Sequence, residues 1–267
     1  MAIHPTALID RRAEIDAGVD IGPYVVIDGP LKVARGTRIM AHAYLTGWTD
    51  IGEDNTIHVG AVVGHEPQDL AYGGAPSYLR IGRGNVIREY AQIHRGTVPE
   101  SATVIGDNNF FMQQAHVAHN CRIGNGTIVA GGVLLAGYVE VEDGAFVSGN
   151  CVVHQFVRIG RLALLRGLSR TSRDVPPFCI MDGTHTVRGI NVVGLRRAGL
   201  GPEPIRALRR AFARLFARSV NMARALRDLE AEGPLSTEVS YLVDFIRASK
   251  RGVCFGPRYG ADAEREG

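Results

Sequence analysis

Two histidines three residues apart, His116 and His119, stand in the stretch Gln114-Ala115-His116-Val117-Ala118-His119-Asn120-Cys121. The residues around them are otherwise small or aliphatic and evenly placed. An imidazole with an ordinary pKa near ~6.5 can take a proton from a hydroxyl at neutral pH, so His119 is a candidate general base. Stepping eighteen residues on leads to Gly137, and eighteen more to Gln155. If residues so spaced lie one above another, a base, an unobstructed glycine amide able to hold an oxyanion, and a glutamine share one column. His154 lies beside that column. A histidine can also be an inert surface residue, and His116, His119 and His154 could together ligate zinc. No acidic or cysteine pattern accompanies them, and their clustering favours the acid–base reading.

The elements that would position these groups follow from a repeat. From Ile3, steps of six reach Ile9, Ile15, Ile21, Ile27, Val33, Ile39, Leu45, Ile51, Ile57 and Val63. The register resumes at Ile81, Ile87 and Ile93. It then runs from Ile105 through Phe111, Val117, Ile123, Val129, Leu135, Val141, Val147, Val153 and Ile159 to Leu165. Neither a helix nor a simple strand has a six-residue period. A parallel β-helix does: each hexapeptide is a short strand and a corner, and three make a triangular coil whose aliphatic residues point inward. Glycine often follows the aliphatic position, as at Gly22, Gly52, Gly106 and Gly160, and is expected to make the corner. By eighteen residues per turn, about nine coils lie between Ile3 and Leu165. A β-sandwich would need irregular strand lengths and hairpin signals that are missing.

Residues 64–79 lack the repeat and read as an excursion loop, with a shorter one at 97–103. After Leu165 the pattern fails, and Arg173-Asp174-Val175-Pro176-Pro177 is expected to end the coils. Ile205, Leu208, Phe212, Leu215, Met222, Leu226 and Leu229 recur at helical spacing as far as Glu232. Gly233-Pro234 breaks that run. Ser236 or Thr237 can cap a further helix with Val239, Leu242, Val243 and Ile246 on its apolar face. The expected architecture is mainly β: a parallel β-helix of hexapeptide repeats over 1–190, a small C-terminal helical domain over 191–254, and a disordered tail over 255–267.

The 267 residues carry a net charge of only +3, which gives no support to nucleic-acid binding. Cys121, Cys151, Cys179 and Cys254 are scattered without CxxC spacing, as expected of reduced thiols in a cytoplasmic protein. There is no signal-peptide pattern, and the most apolar stretch, 127–139, is too short and glycine-rich to span a bilayer.

With these stretches in hand, the sequence resembles the bacterial UDP-N-acetylglucosamine acyltransferases of lipid A biosynthesis. The resemblance covers essentially the whole chain. It is carried by Gln68-Asp69-Leu70, Ile93-His94-Arg95-Gly96-Thr97, Ala115-His116-Val117-Ala118-His119, Leu135-Ala136-Gly137 and Val153-His154-Gln155-Phe156. Asp174-Val175-Pro176-Pro177, Gly189-Ile190-Asn191, Gly194-Leu195-Arg196-Arg197 and Arg247-Ala248-Ser249 extend it. The resemblance implies a homotrimer of left-handed β-helices with active sites between subunits. It implies transfer of a 3-hydroxyacyl chain from acyl carrier protein to the glucosamine 3-position of a UDP-amino-sugar, without metal or organic cofactor.

In that reading His119 is the base and Gly137 the oxyanion amide. Gln68, Asp69, His116, Tyr138, His154 and Gln155 line the site, Asn191 and Arg197 meet the nucleotide with His185 nearby, and Gly167 limits acyl-chain length. The chain departs from the family pattern at Ala71 (usually lysine), Tyr138 (usually histidine), Asn120 (more often aspartate) and Val193 (usually glutamate). These departures keep open a changed acceptor, such as a 3-amino sugar giving an amide or another nucleotide sugar. A non-catalytic solenoid is opposed by the retained His119–Gly137 pair. Arginines at 206, 209, 210, 214, 218, 224 and 227 offer either a solvated face or a steering surface for an acidic carrier protein.

Overall fold

A computed structural model describes residues 2–217 and 220–256. Its body is a left-handed parallel β-helix of three sheets with ten, nine and eight parallel strands. An antiparallel strand, Val187–Ile190, closes the first sheet against Cys179–Met181. Ile3 pairs with Ile21 and Ile21 with Ile39, so the eighteen-residue column is real. The excursions alter the count. Ile51 pairs with Ile81 and Ile81 with Ile105, and the two surpluses together equal one coil. Eight complete turns therefore separate Ile3 from Leu165, rather than nine.

Beyond the first coil, whose Ile3 is exposed, each hexapeptide buries two side chains. The aliphatic residue fills the axis, as do Ile57, Phe111 and Val129, and the residue four places on is small and fully buried, as are Ala61, Ala115 and Val133. Each such aliphatic residue contributes roughly 1.5–3 kcal/mol on leaving water, realised only when the next coil covers it. The corner lies three places after the aliphatic residue, where φ is positive, as at Asn120 (59°) and Tyr138 (59°). The glycine that directly follows the aliphatic residue has a different purpose from the expected turn. A Cβ on Gly52 would stand 2.6 Å from the Gly82 carbonyl oxygen, so glycine there lets successive coils approach.

One buried column is polar. Asn55, Asn85 and Asn109 stack, each Oδ1 accepting the backbone N–H of the residue above, and the ladder ends on Thr127.

The coils continue past the point where the aliphatic pattern fails. Arg170–Thr171 pairs with Val152–Val153, Val175 bridges Ile159, and Met181 pairs with Leu165. Thr171 is buried at the next six-residue step, and its hydroxyl is satisfied by donating to the Arg173 carbonyl. A polar residue thus continues the axis where hydrophobicity alone signals its end.

Among the described residues four helices follow: α1 (Val192–Arg197), α2 (Pro202–Leu215), α3 (Met222–Ala231) and α4 (Thr237–Arg247). The run that reads as one helix is two, because Asn221 caps a new start by accepting the Arg224 N–H. Ser236 caps α4, whose Val239, Leu242, Val243 and Ile246 are buried. Phe255 bridges Thr186 and accepts the Val187 N–H, so it belongs to the packed body rather than to a tail. Residues 257–267 and Arg218 lie outside the described residues. Among the described residues no helix is long and apolar enough to cross a membrane. All four cysteines are buried free thiols, and burial pushes Cys121 and Cys254 up to about 12, so they stay neutral and unreactive.

Candidate active site

His119 occupies the residue before a corner, with Asn120 at the left-handed position. The Tyr138 N–H donates to the His119 carbonyl and the Phe156 N–H to the Gly137 carbonyl, which stacks 119, 137 and 155 coil upon coil. The imidazole is 10% exposed. It lies directly over Gly137, where a Cβ would fall 2.5 Å from Cε1 and 2.6 Å from Nε2. Only glycine fits there. The Gly137 N–H has no partner among the described residues, like that of Gln113 at an equivalent place, because corners leave the ladder. It is thus a backbone donor available beside the ring.

The ring's tautomer follows from its neighbours. Asn120 Oδ1 accepts the buried Thr97 N–H at 3.0 Å, which fixes that atom as oxygen. The same oxygen lies 3.0 Å from His119 Nδ1, so Nδ1 carries the proton and Nε2 keeps its lone pair. Asp69 Oδ2 stands 3.7 Å from Nε2. That is too long for a hydrogen bond that would occupy the lone pair, yet close enough to attract the charge the ring gains with a proton. The Asp69 carboxylate is held by its own turn, Oδ1 accepting the Ala71 N–H at 2.9 Å and the backbone carbonyl the Tyr72 N–H.

Around this pair the residues expected from sequence separate into two groups. Tyr138 meets the His119 ring edge-on at 5.4 Å and stacks on Phe156 at 4.9 Å. His116 lies 5.1 Å from His94, and burial followed by the nearby His94 and His119 imidazoles holds it down at about 4. His94 is also lowered, chiefly by burial. Gln155 is exposed one coil above Gly137, beside His154, whose Nδ1 lies 3.4 Å from an Arg251 amine. Gln68 is exposed at the excursion tip with Asp69.

The second group lies elsewhere in this chain. His185 Nε2 accepts from the Ser172 N–H at 3.0 Å. Asn191 is buried: its Oδ1 caps α1 at Gly194 and its amide donates to the Leu162 carbonyl. Arg197 is exposed at the end of α1, and Gly167 is exposed next to the Leu168 corner. Residue type alone does not single out Thr97 and Thr103, which hold Asn120 through its Oδ1 and its N–H. Thr97 ends the Ile93–Thr97 motif, but it acts through its backbone N–H, which leaves no trace in residue type, and Thr103 lies outside that motif.

A coiled scaffold with a corner histidine over a glycine amide defines a hexapeptide-repeat transferase. Residues 102–137 match the family described as bacterial transferase hexapeptide (six repeats), and residues 174–254 match UDP-N-acetylglucosamine O-acyltransferase, domain 2. The acyl-(acyl-carrier-protein)–UDP-N-acetylglucosamine O-acyltransferase of Thermodesulfovibrio yellowstonii is 44% identical over 94% of this chain and 98% of its own. That of Alkalilimnicola ehrlichii is 45% identical over 94% and 98%. The crystal structure of the UDP-N-acetylglucosamine acyltransferase of Bacteroides fragilis superposes with a TM-score of 0.91 at 41% identity, covering 94% and 99% of the two chains. The chain belongs to the UDP-N-acetylglucosamine O-acyltransferase family.

Proposed function

We propose that this protein transfers a 3-hydroxyacyl chain from acyl carrier protein to the 3-hydroxyl of UDP-N-acetylglucosamine, the opening step of lipid A biosynthesis, in the cytoplasm. The observation that carries the chemistry is the His119 tautomer. Nε2 removes the proton from the acceptor hydroxyl as its oxygen attacks the thioester carbonyl carbon. The Gly137 N–H receives the oxyanion, and collapse expels the carrier thiolate, which takes the proton from the imidazolium. Asp69 stabilises that imidazolium while it lasts.

A homotrimer is supported by the outer faces of the coil. Phe110, Ile128, Phe146 and Leu164 form an apolar column on one sheet, and Leu134 and Val152, each 47% exposed, another on the next. The third sheet instead presents Arg122, Glu140 and Arg158. Two apolar faces meeting at one edge suit rotationally symmetric packing, which brings residues such as His185, Asn191, Arg197 and Gly167 to a neighbouring base. Among the described residues, Arg209, Arg210 and Arg227 on α2 and α3 lack ion-pair partners, as suits an acidic carrier.

A second reading, N-acylation of a 3-amino acceptor, is favoured by Ala71, which puts no cation beside Asp69. The two are separated by mass spectrometry of the product formed from 3-hydroxyacyl carrier protein and either UDP-sugar. An ester from the ordinary sugar, cleaved by mild hydroxylamine, supports the first reading. A hydroxylamine-stable product from the amino sugar alone replaces it with the second.

A further inference from the structure

The excursion that carries Asp69 has little apolar grip on the coils beyond Pro67, which is buried: Gln68, Leu70, Ala71 and both glycines 73 and 74 are exposed. Yet its carboxylate is aimed at one atom of His119. What fixes it is Arg95, a charged side chain only 5% exposed. Where the excursion leaves the coil, the strand Val62–His65 bulges against Gln92–His94, and the Arg95 N–H donates to the His65 carbonyl at 3.1 Å. The guanidinium then holds both feet of the turn. Nη1 donates to the Gly64 carbonyl at 2.9 Å, and Nη2 reaches the Tyr72 hydroxyl at 3.0 Å and Glu66 Oε1 at 3.4 Å.

The guanidinium lies over two aromatic rings, with its carbon 5.8 Å from the Trp48 centroid and 5.5 Å from that of Tyr72. The space is made by Gly47, where a Cβ would fall 2.9 Å from Nη1. His94 adds a second tie at the same foot, Nδ1 donating to the Glu66 carbonyl at 2.6 Å. Only residues 67–71 separate the anchors at Glu66 and Tyr72, and Asp69 is the middle one.

We propose that Arg95 is a positioning residue for the transfer reaction: by clamping Gly64, Glu66 and Tyr72 it places Asp69 over His119 Nε2 without touching substrate. The proposal rests on the reading of His119 as the base. A fork with fixed geometry is needed to span a carbonyl, a hydroxyl and two ring faces, and a lysine ammonium cannot reproduce it.

The test compares kcat and KM of Arg95→Met, Arg95→Lys, Tyr72→Phe, Asp69→Asn and the Arg95→Met/Asp69→Asn double variant, using acyl carrier protein donor and UDP-N-acetylglucosamine. Trp48, the single tryptophan of the chain, reports the clamp by its emission, and thermal melting reports the fold. Loss of the clamp is expected to lower kcat on the order of tenfold to a hundredfold in Arg95→Met, with the donor KM little changed. Arg95→Lys recovers only part of that, and the double variant is no slower than Asp69→Asn. Tyr72→Phe, which removes the hydroxyl that accepts from Arg95 and donates to the Ala75 carbonyl but leaves the core alone, lowers kcat a few-fold and decides the matter if Arg95→Met does not fold. Additive losses in the double variant, or unchanged kcat in Tyr72→Phe and in folded Arg95→Met, overturn the proposal. A fully active His119→Ala would instead overturn the underlying reading.

Discussion

Asn120 Oδ1 lies 3.0 Å from His119 Nδ1 and takes a second hydrogen bond from the Thr97 N–H, so a neutral amide sets which nitrogen of the ring is free. The arrangement orients the base without placing a charge behind it. Asn120→Ala removes the tautomer lock, orphans a buried N–H and puts a Cβ residue without a local hydrogen bond at φ 59°. Stability should fall by about 1–3 kcal/mol and kcat by at least tenfold. Denaturant melts and steady-state rates check both.

Gly137→Ala is expected to leave the coil folded, since Gly137 has an ordinary negative φ, but to drive a methyl into the imidazole. The ring must then swing off its column. The rate should drop on the order of a hundredfold or more while the melting temperature changes by only a few degrees.

The depressed His116 carries a stability signature with a definite sign. In the unfolded chain its imidazole takes a proton as pH falls through about 6.5. In the folded protein it stays neutral until about 4. The unfolded state therefore binds more protons in that window, and stability declines as pH falls from about 6.5 towards 4. Urea melts at several pH values should show this slope, and His116→Asn should flatten it.

The asparagine ladder predicts a structural cost far from the chemistry. Asn85 donates through Nδ2 to Asn55 Oδ1 and the Gly106 carbonyl, both at 3.0 Å, and accepts the Asn109 N–H at 2.9 Å. Asn85→Ala leaves buried groups unpaired, and about 3 kcal/mol of stability should be lost with kcat unaffected. Calorimetry on the purified variant checks the first and the acyl-transfer rate the second.

The aliphatic register discloses the coil, and the eighteen-residue step puts His119, Gly137 and Gln155 in one column, because a solenoid converts sequence distance directly into height. Hydrophobicity failed where polar side chains satisfy one another. Thr171 continues the axis through a hydroxyl bond, and Asn221 splits a helical run by capping. The approach of Asp69 to His119 was hidden for another reason: an excursion has no period, and its position is set by Arg95, whose partners are a backbone oxygen, a hydroxyl, a carboxylate and two ring faces with no regular spacing in the sequence. The resemblance implies that Asn191 meets the nucleotide, and spacing alone carries no sign that its amide also holds α1 to the coil, Oδ1 accepting from Gly194 and Nδ2 donating to Leu162.

The central claim is that His119 Nε2 is the base. Its most direct test is the rate at which purified wild-type protein and His119→Asn form acylated UDP-N-acetylglucosamine from 3-hydroxyacyl carrier protein, both checked for intact fold. The wild type is expected to form product and the variant to be slower by about 10²–10⁴-fold. A folded variant working within a few-fold of wild type would contradict the account.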